Sequence, residues 1–124
     1  MAVTDDTQLV SEWRELLERH ARTNCALEHA LKEYELGVSE FEVLEQLITG
    51  DKQEARVQRL AELVHLSQSA LSRVVARLEA DGLVSRGMCA SDRRGVFVCV
   101  TPEGLERYEA AKPAQRAVLA DFLG

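Results

Sequence analysis

Residues 66–84 have the sequence LSQSALSRVVARLEADGLV, which predicts one short amphipathic helix with clear ends. Ser67 favours the position just before a helix, and Gly82 favours the position just after one. Between them, apolar side chains follow the i, i+3, i+4, i+7 spacing of a single stripe, which consists of Leu71, Val74, Val75 and Leu78. We therefore expect this stripe to be buried and the other face to be exposed.

The exposed face of this helix is predicted to be polar and free of acidic residues from Gln68 to Leu78. Glutamine can read adenine, arginine can read guanine, and a hydroxyl can bind a base edge or a phosphate. These side chains near the start of a helix are typical of a recognition helix in the DNA major groove. A polar face that only contacts solvent is the alternative. The candidate DNA-binding residues here are Ser67, Gln68, Ser69, Ser72, Arg73 and Arg77.

A shorter helix before this one and a hairpin after it complete a winged unit. Residues Val57–Val64 are amphipathic and end three residues before the recognition helix, which is helix-turn-helix spacing. The segments Leu83–Met88 and Val96–Val100 are short and rich in apolar or β-branched residues, so they predict two strands. Arginines at the tip between these strands could enter the minor groove. The candidate tip contacts are Asp92, Arg93 and Arg94.

Long helices are predicted on both sides of the winged unit. Residues Thr7–Glu35 contain no proline or glycine, and apolar residues such as Trp13 and Leu17 recur at heptad spacing. We expect this helix to pack on a second subunit as well as on its own domain. A last helix follows Thr101, which is a suitable N-cap, and Pro113 should kink or interrupt that helix.

One more helix is predicted between the first long helix and the helix-turn-helix unit. Gly37 is suited to end the first helix. Ser39 and Glu42 have the spacing of a capping box, and the helix that they begin should run to about Thr49. The polar residues Gly50–Glu54 then predict a loop.

The composition limits the class of protein. With 124 residues, of which 46% are hydrophobic, the chain suits one domain with its own core. We expect a cytoplasmic protein with no membrane partner, because no signal peptide or long apolar run is apparent. Cys25, Cys89 and Cys99 are an odd number at unrelated spacings, which favours free thiols over a disulfide framework.

Charge is divided unevenly along the chain. The net charge is −6, but residues 1–54 hold thirteen acidic against five basic side chains, whereas residues 55–124 hold eight against ten. Such an asymmetry is expected when one part of a protein meets an anion and the other does not. The basic part coincides with the predicted winged unit.

The run from Leu60 to Gly104 resembles the MarR family of winged-helix transcription regulators. Its segments LSQS, RLEADGLV, DRR and VTPEG occur in the order typical of that family. The resemblance implies that Gln68, Ser69, Ser72, Arg73 and Arg77 contact the major groove or phosphates. It further implies that Arg94 is the wing-tip contact, with Asp92 as its partner. Because the chain ends at Gly124, we expect a shortened last helix.

These observations predict a mainly α fold with a small β-hairpin wing and long terminal dimerisation helices. Residues 1–124 form a single winged-helix domain. Within it, residues 1–36 hold the long N-terminal helix, 38–101 the winged helix-turn-helix and 102–124 the C-terminal dimerisation helix. The predicted function is that of a sequence-specific regulator, a ligand-responsive repressor that binds a palindromic operator as a homodimer. We expect no enzyme activity, because no catalytic motif is present.

The input signal has several candidate sources. His20, Asn24 and Cys25 are the polar residues of the first helix best placed to meet a small hydrophobic or phenolic effector. Cys25 and His29 lie one helical turn apart, so a metal-responsive regulator of the same fold is an alternative. Oxidation of Cys89, next to the predicted wing, would make the regulator thiol-responsive instead. A winged-helix module that binds another protein is a second alternative. We expect neither a cofactor nor a resident metal ion.

Overall fold

The computed structural model describes residues 6–50, 52–86 and 97–124. Its order of elements confirms the predicted fold, which is mainly α-helical with a small antiparallel sheet. A short 3-10 helix, Lys32–Tyr34, follows the first α-helix. The α-helices are α1 Asp6–Leu31, α2 Val38–Thr49, α3 Val57–Leu63, α4 Gln68–Ala80 and α5 Pro102–Leu123. The strands are β1 Glu54–Arg56, β2 Val84–Arg86 and β3 Phe97–Val100.

The sheet has the strand order β1-β3-β2, with both pairs antiparallel. The pairing of β2 with β3 confirms the described part of the predicted hairpin. The loop predicted over Gly50–Glu54 is wrong at its end, because Glu54 begins β1 and pairs with Cys99. A strand of three residues is too short to give a periodic pattern. Its stability comes from the neighbouring strand, which sequence order does not reveal.

The core joins all the layers of the fold. Buried side chains of α2, α4 and α5 meet those of the sheet in one cluster that also includes the end of α1. Its fully buried members include Phe41 of α2, Val75 of α4 and Val98 of β3. The position of α4 is therefore set by packing against both the helices and the sheet.

The start of α2 differs from the predicted capping box. The helix begins at Val38 with Gly37 as its N-cap, and Glu40 Oε1 accepts a hydrogen bond of 2.8 Å from the Gly37 N–H. The box proposed for Ser39 and Glu42 is therefore wrong by two positions. The apolar residues on either side of the cap decide the difference, because the real start buries both Leu36 and Phe41 in the core.

Helix α5 runs through Pro113, so the predicted interruption is wrong. Proline removes a hydrogen bond to the carbonyl four residues earlier, here that of Glu109. Both residues are exposed, so water can solvate that carbonyl while the surrounding turns pack normally.

The N-terminal part of α1 projects away from the core. Its apolar residues stay exposed, and Trp13 and Leu16 keep 59% and 61% of their surface accessible. Leu27 and Leu31, which continue the heptad spacing of Trp13 and Leu17, are buried within the chain. Leu123, near the end of α5, is also 51% exposed. The two terminal helices thus carry apolar surface that the single chain leaves uncovered.

The start of α5 lies almost in backbone contact with the segment after α4. Thr101 Oγ1 accepts a hydrogen bond from the Gly104 N–H at 3.0 Å and donates one to the Gly82 carbonyl at 2.7 Å. A Cβ atom at Gly104 would lie only 2.1 Å from the carbonyl oxygen of Leu83. Because a backbone atom blocks this position, only glycine fits without movement of a whole segment.

Replacing Gly104 with alanine should therefore destabilise the fold severely. We expect Gly104→Ala to lower the free energy of unfolding by about 3 kcal/mol, because α5 must move away from Leu83. Chemical denaturation checks this value. The control is Glu103→Ala at the exposed neighbouring residue, which should change it by about 0.5 kcal/mol or less. Equal stability of the two variants would contradict the close approach.

Candidate nucleic-acid interface

Helix α4 is positioned by its cap and by its buried stripe. Ser67 has the extended backbone of an N-cap, and its Oγ accepts a hydrogen bond of 3.1 Å from the Ala70 N–H. Leu71, Val75 and Leu78 are fully buried, which confirms the predicted inner face. Gly82, at a φ of +75°, ends the helix in the left-handed conformation that glycine favours.

The outward face of α4 carries every recognition-helix residue that the sequence predicted. Within the described residues, neither Arg73 nor Arg77 forms an ion pair, whereas Arg59 pairs with Glu62 at 3.2 Å. Both guanidinium groups are therefore free to meet an external anion. The exposed set is Ser67, Gln68, Ser69, Ser72, Arg73 and Arg77.

The turn between α3 and α4 is tightly defined. His65 has a φ of 58°, so the chain reverses through the left-handed region at this residue. The Leu66 N–H donates a hydrogen bond of 3.0 Å to the Ala61 carbonyl, which closes the turn on α3. The orientation of α4 thus depends directly on the conformation at residues 64–66.

The wing is only partly described. Strands β2 and β3 are present, but Asp92, Arg93 and Arg94 lie outside the described residues, as does Cys89. The minor-groove contacts assigned to this tip remain predictions.

Arg56 is a basic residue of this region that the sequence reasoning missed. It is exposed at the end of β1, and its Cζ lies 5.3 Å from the ring centroid of Phe97. The sequence contained only a weak signal, an arginine before a helix that lacks a polar N-cap. Phe97 is 41 residues further along the chain, so only the pairing of β1 with β3 brings the two together.

Two of the three predicted effector residues line a cleft of about 490 Å³ between α1, the start of α2 and the α3–α4 turn. His20 and Asn24 belong to its wall, whereas Cys25 is exposed and outside it. Burial raises the pKa of the Glu42 carboxyl in the same wall; nearby Glu45 raises this pKa further, and Arg116 partly offsets the rise. The lining residues are His20, Thr23, Asn24, Leu27, Val38, Ser39, Glu42, Val64, His65 and Leu66.

Other kinds of site receive less support. Cys25 and Cys99 are free thiols, and Cys99 Sγ lies 3.5 Å from Ser85 Oγ across the sheet. In residues 6–50, 52–86 and 97–124, no group of three or more His, Cys, Asp and Glu side chains is arranged to hold a metal ion. No helix in the same part of the chain is both long and apolar enough to cross a membrane.

Comparison with known proteins identifies the family. The MarR family profile matches residues 34–95. An uncharacterized HTH-type transcriptional regulator from Bacillus cereus strain ZK / E33L is 30% identical to this chain over 110 residues. The aligned region covers 89% of this chain and 71% of that relative. The chain therefore belongs to the MarR family, and it is a DNA-binding transcriptional regulator rather than an enzyme.

Solved structures agree with this assignment. The fold matches Sco3205, a MarR family transcriptional regulator from Streptomyces coelicolor in complex with DNA, with a TM-score of 0.83, 29% identity and coverage of 99% of this chain and 77% of that chain. It also matches CouR from Rhodococcus jostii RHA1 bound to p-coumaroyl-CoA, with a TM-score of 0.79, 25% identity and coverage of 99% and 82%. The family resemblance found in the sequence is thereby confirmed.

Proposed function

We propose that this regulator is a repressor that reads its operator with the outward face of α4, acting as a homodimer on two half-sites. The observation that carries this proposal is the exposed, acid-free face from Gln68 to Arg77, in which neither arginine forms an ion pair with a residue that the structure describes. An unpaired guanidinium reaches base edges or phosphates without first breaking a salt bridge. We place the protein in the cytoplasm, together with the DNA that it regulates.

The side chains of α4 have different roles in this proposal. Gln68 and Ser69, in the first turn, face the base edges, because the start of a recognition helix enters the major groove. Arg73 reads a base, and Arg77 binds the backbone. By family resemblance, Arg94 extends the contact into the minor groove, with Asp92 orienting it. Arg93, beside it at the predicted wing tip, is a further candidate for the same groove.

Substitution of Arg73 tests the base-reading role. The DNA is a duplex that the wild-type protein selects from a random-sequence library, compared with a scrambled duplex. Arg73→Ala should reduce discrimination between the two by about 1 to 3 kcal/mol, whereas Arg94→Ala should weaken binding to both alike. Arg59→Ala is the control and should keep discrimination. Failure of the wild type to select any duplex would favour a protein-interaction module, and unchanged discrimination in Arg73→Ala would remove Arg73 from the site.

Homodimerisation is supported by the uncovered apolar surface of the terminal helices. Trp13, Leu16 and Leu123 are each more than half exposed in the single chain. Several large apolar side chains left exposed on one part of a soluble protein often mark a protein–protein contact. A second copy that covers it about a two-fold axis presents two α4 helices to one side of the DNA. The operator is then an imperfect palindrome with half-site centres about 10 base pairs apart, or a multiple of that.

Placing a charge in this surface should separate the subunits. We expect Trp13→Glu to shift sedimentation at micromolar concentration from dimer to monomer and to lower operator affinity at least tenfold, because a buried unpaired charge is costly at an interface. Ser11→Glu adds the same charge at an exposed neighbouring residue and should remain dimeric. Circular dichroism checks that α-helix content is kept. A monomeric wild type, or a selected duplex without two-fold symmetry, would contradict the homodimer.

The effector is a small hydrophobic or phenolic molecule that occupies the cleft beside His20 and Asn24. The cleft supports this assignment because its walls come from α1 and from the turn that orients α4. A ligand that favours one spacing of these elements shifts both recognition helices. CouR, with which this chain shares 25% identity, binds p-coumaroyl-CoA, a thioester of a phenolic acid.

Substitutions at adjacent residues separate the cleft from a thiol switch. We expect p-coumaric acid or a related phenolic acid to release the selected duplex, as measured by fluorescence anisotropy. Asn24→Leu should weaken this response about tenfold through loss of a hydrogen bond, while Cys25→Ser, outside the cleft, should leave it unchanged. Release by peroxide alone, abolished when all three cysteines are serine, would replace the ligand hypothesis with redox sensing.

A further inference from the structure

We propose that Arg56 binds a DNA phosphate beside each half-site and that the ring of Phe97 positions its guanidinium for this contact. The proposal rests on the DNA-binding function and adds a residue outside both α4 and the wing tip. It makes β1, a strand of three residues, part of the surface that meets DNA.

The position of Arg56 along the chain brings it close to the DNA backbone. Arg56 is the last residue of β1 and the residue immediately before α3, the first helix of the helix-turn-helix unit. When a recognition helix lies in the major groove, this first helix crosses the phosphate backbone. A long basic side chain at the start of α3 is therefore within reach of the backbone while α4 reads the bases.

The register of the sheet places Arg56 at the same end as the wing. Strand β3 enters the sheet at Phe97, which is the Cα partner of Arg56, and β2 leaves it after Arg86. The wing connection joins these two strands at that end. Arg56 thus lies at the end of the sheet from which the wing connection leaves, immediately before α3 of the helix-turn-helix unit. A positive charge at this position adds to the attraction for the DNA backbone.

The electrostatic surroundings distinguish Arg56 from its basic neighbours. In the described part of the chain, no carboxylate lies within ion-pair distance of Arg56. By contrast, Arg86 lies 3.8 Å from Glu79, and Arg59 lies 3.2 Å from Glu62. Arg56 is also exposed. Its charge is available to a phosphate without the loss of an internal partner.

The Phe97 ring restricts the flexible arginine side chain. The separation of 5.3 Å between Cζ and the ring centroid is within the range of a cation–π contact. An arginine that stacks on an aromatic face keeps the N–H donors along its edge available to a phosphate. Because the side chain is held before DNA arrives, less conformational entropy is lost on binding.

The test compares two arginines that lie three residues apart. Binding of the wild-type-selected duplex is measured over a series of salt concentrations for Arg56→Gln and for Arg59→Gln, which remove the same charge. Arg56→Gln should weaken binding about fivefold or more, and the slope of log K against log salt should flatten by about 0.9 for each bound protomer. Arg59→Gln should leave this slope within error of the wild type.

The role of Phe97 is tested by combining substitutions. Phe97→Leu keeps an apolar strand residue and should weaken binding about threefold in the presence of Arg56. In the Arg56→Gln background, Phe97→Leu should cause no further loss, because the ring then has no guanidinium to position. Thermal unfolding shows whether each variant is folded. DNA binding is compared at the same concentration of folded protein, so that a difference between variants does not come from a loss of stability.

The outcomes separate this proposal from the function on which it rests. If the wild type binds no DNA, the DNA-reading proposal for α4 fails first. If the wild type binds but Arg56→Gln and Arg59→Gln have equal salt slopes, the phosphate contact at Arg56 is overturned while the function stands. An equal loss from Phe97→Leu in both backgrounds would retain the contact and overturn the positioning by the ring.

Discussion

Phe41 of α2 stacks against Tyr108 of α5 with ring centroids 5.2 Å apart, and this contact holds α2, which shares its buried core with α4, against the long C-terminal helix. The Tyr108 hydroxyl donates a hydrogen bond of 2.7 Å to Glu45 of α2, whose carboxylate also pairs with Arg116 of α5. Burial and the hydrogen bond to Glu45 raise the pKa of Tyr108 to about 12, so the phenol stays protonated and keeps donating. The apolar stack and the polar bridge together hold α2 against α5.

The contact between α2 and α5 matters for DNA binding because α2 shares its buried core with α4. Phe41 belongs to the same buried cluster as Leu71 and Val75 of α4, and close-packed interiors transmit small shifts between such residues. In the proposed dimer, the separation between the two α4 helices is thus set by packing that lies away from the outward face of α4. An effector that acts on this geometry needs no contact with the recognition surface.

Acidic and basic residues are concentrated in different parts of the fold. Acidic residues are concentrated in the first 54 positions, while the outward face of α4 and the end of β1 carry arginines that form no ion pair with any other described residue. Like-charge repulsion between DNA and the acidic helices favours one orientation of the protein on the duplex. A chain with a net charge of −6 can therefore bind DNA through one face.

The sequence by itself determined the winged helix-turn-helix class and the inner and outer faces of α4, because a periodic stripe and a serine cap are local signals. It also predicted that the α5 cap is Thr101, which accepts the Gly104 N–H. Only the tertiary structure decided the start of α2, where burial of Leu36 and Phe41 selects Gly37 as the cap. It alone also decided the strand pairing that brings Arg56 to Phe97. Both features depend on contacts between residues that are distant in sequence, and the stabilisation from such contacts cannot be read from the local sequence.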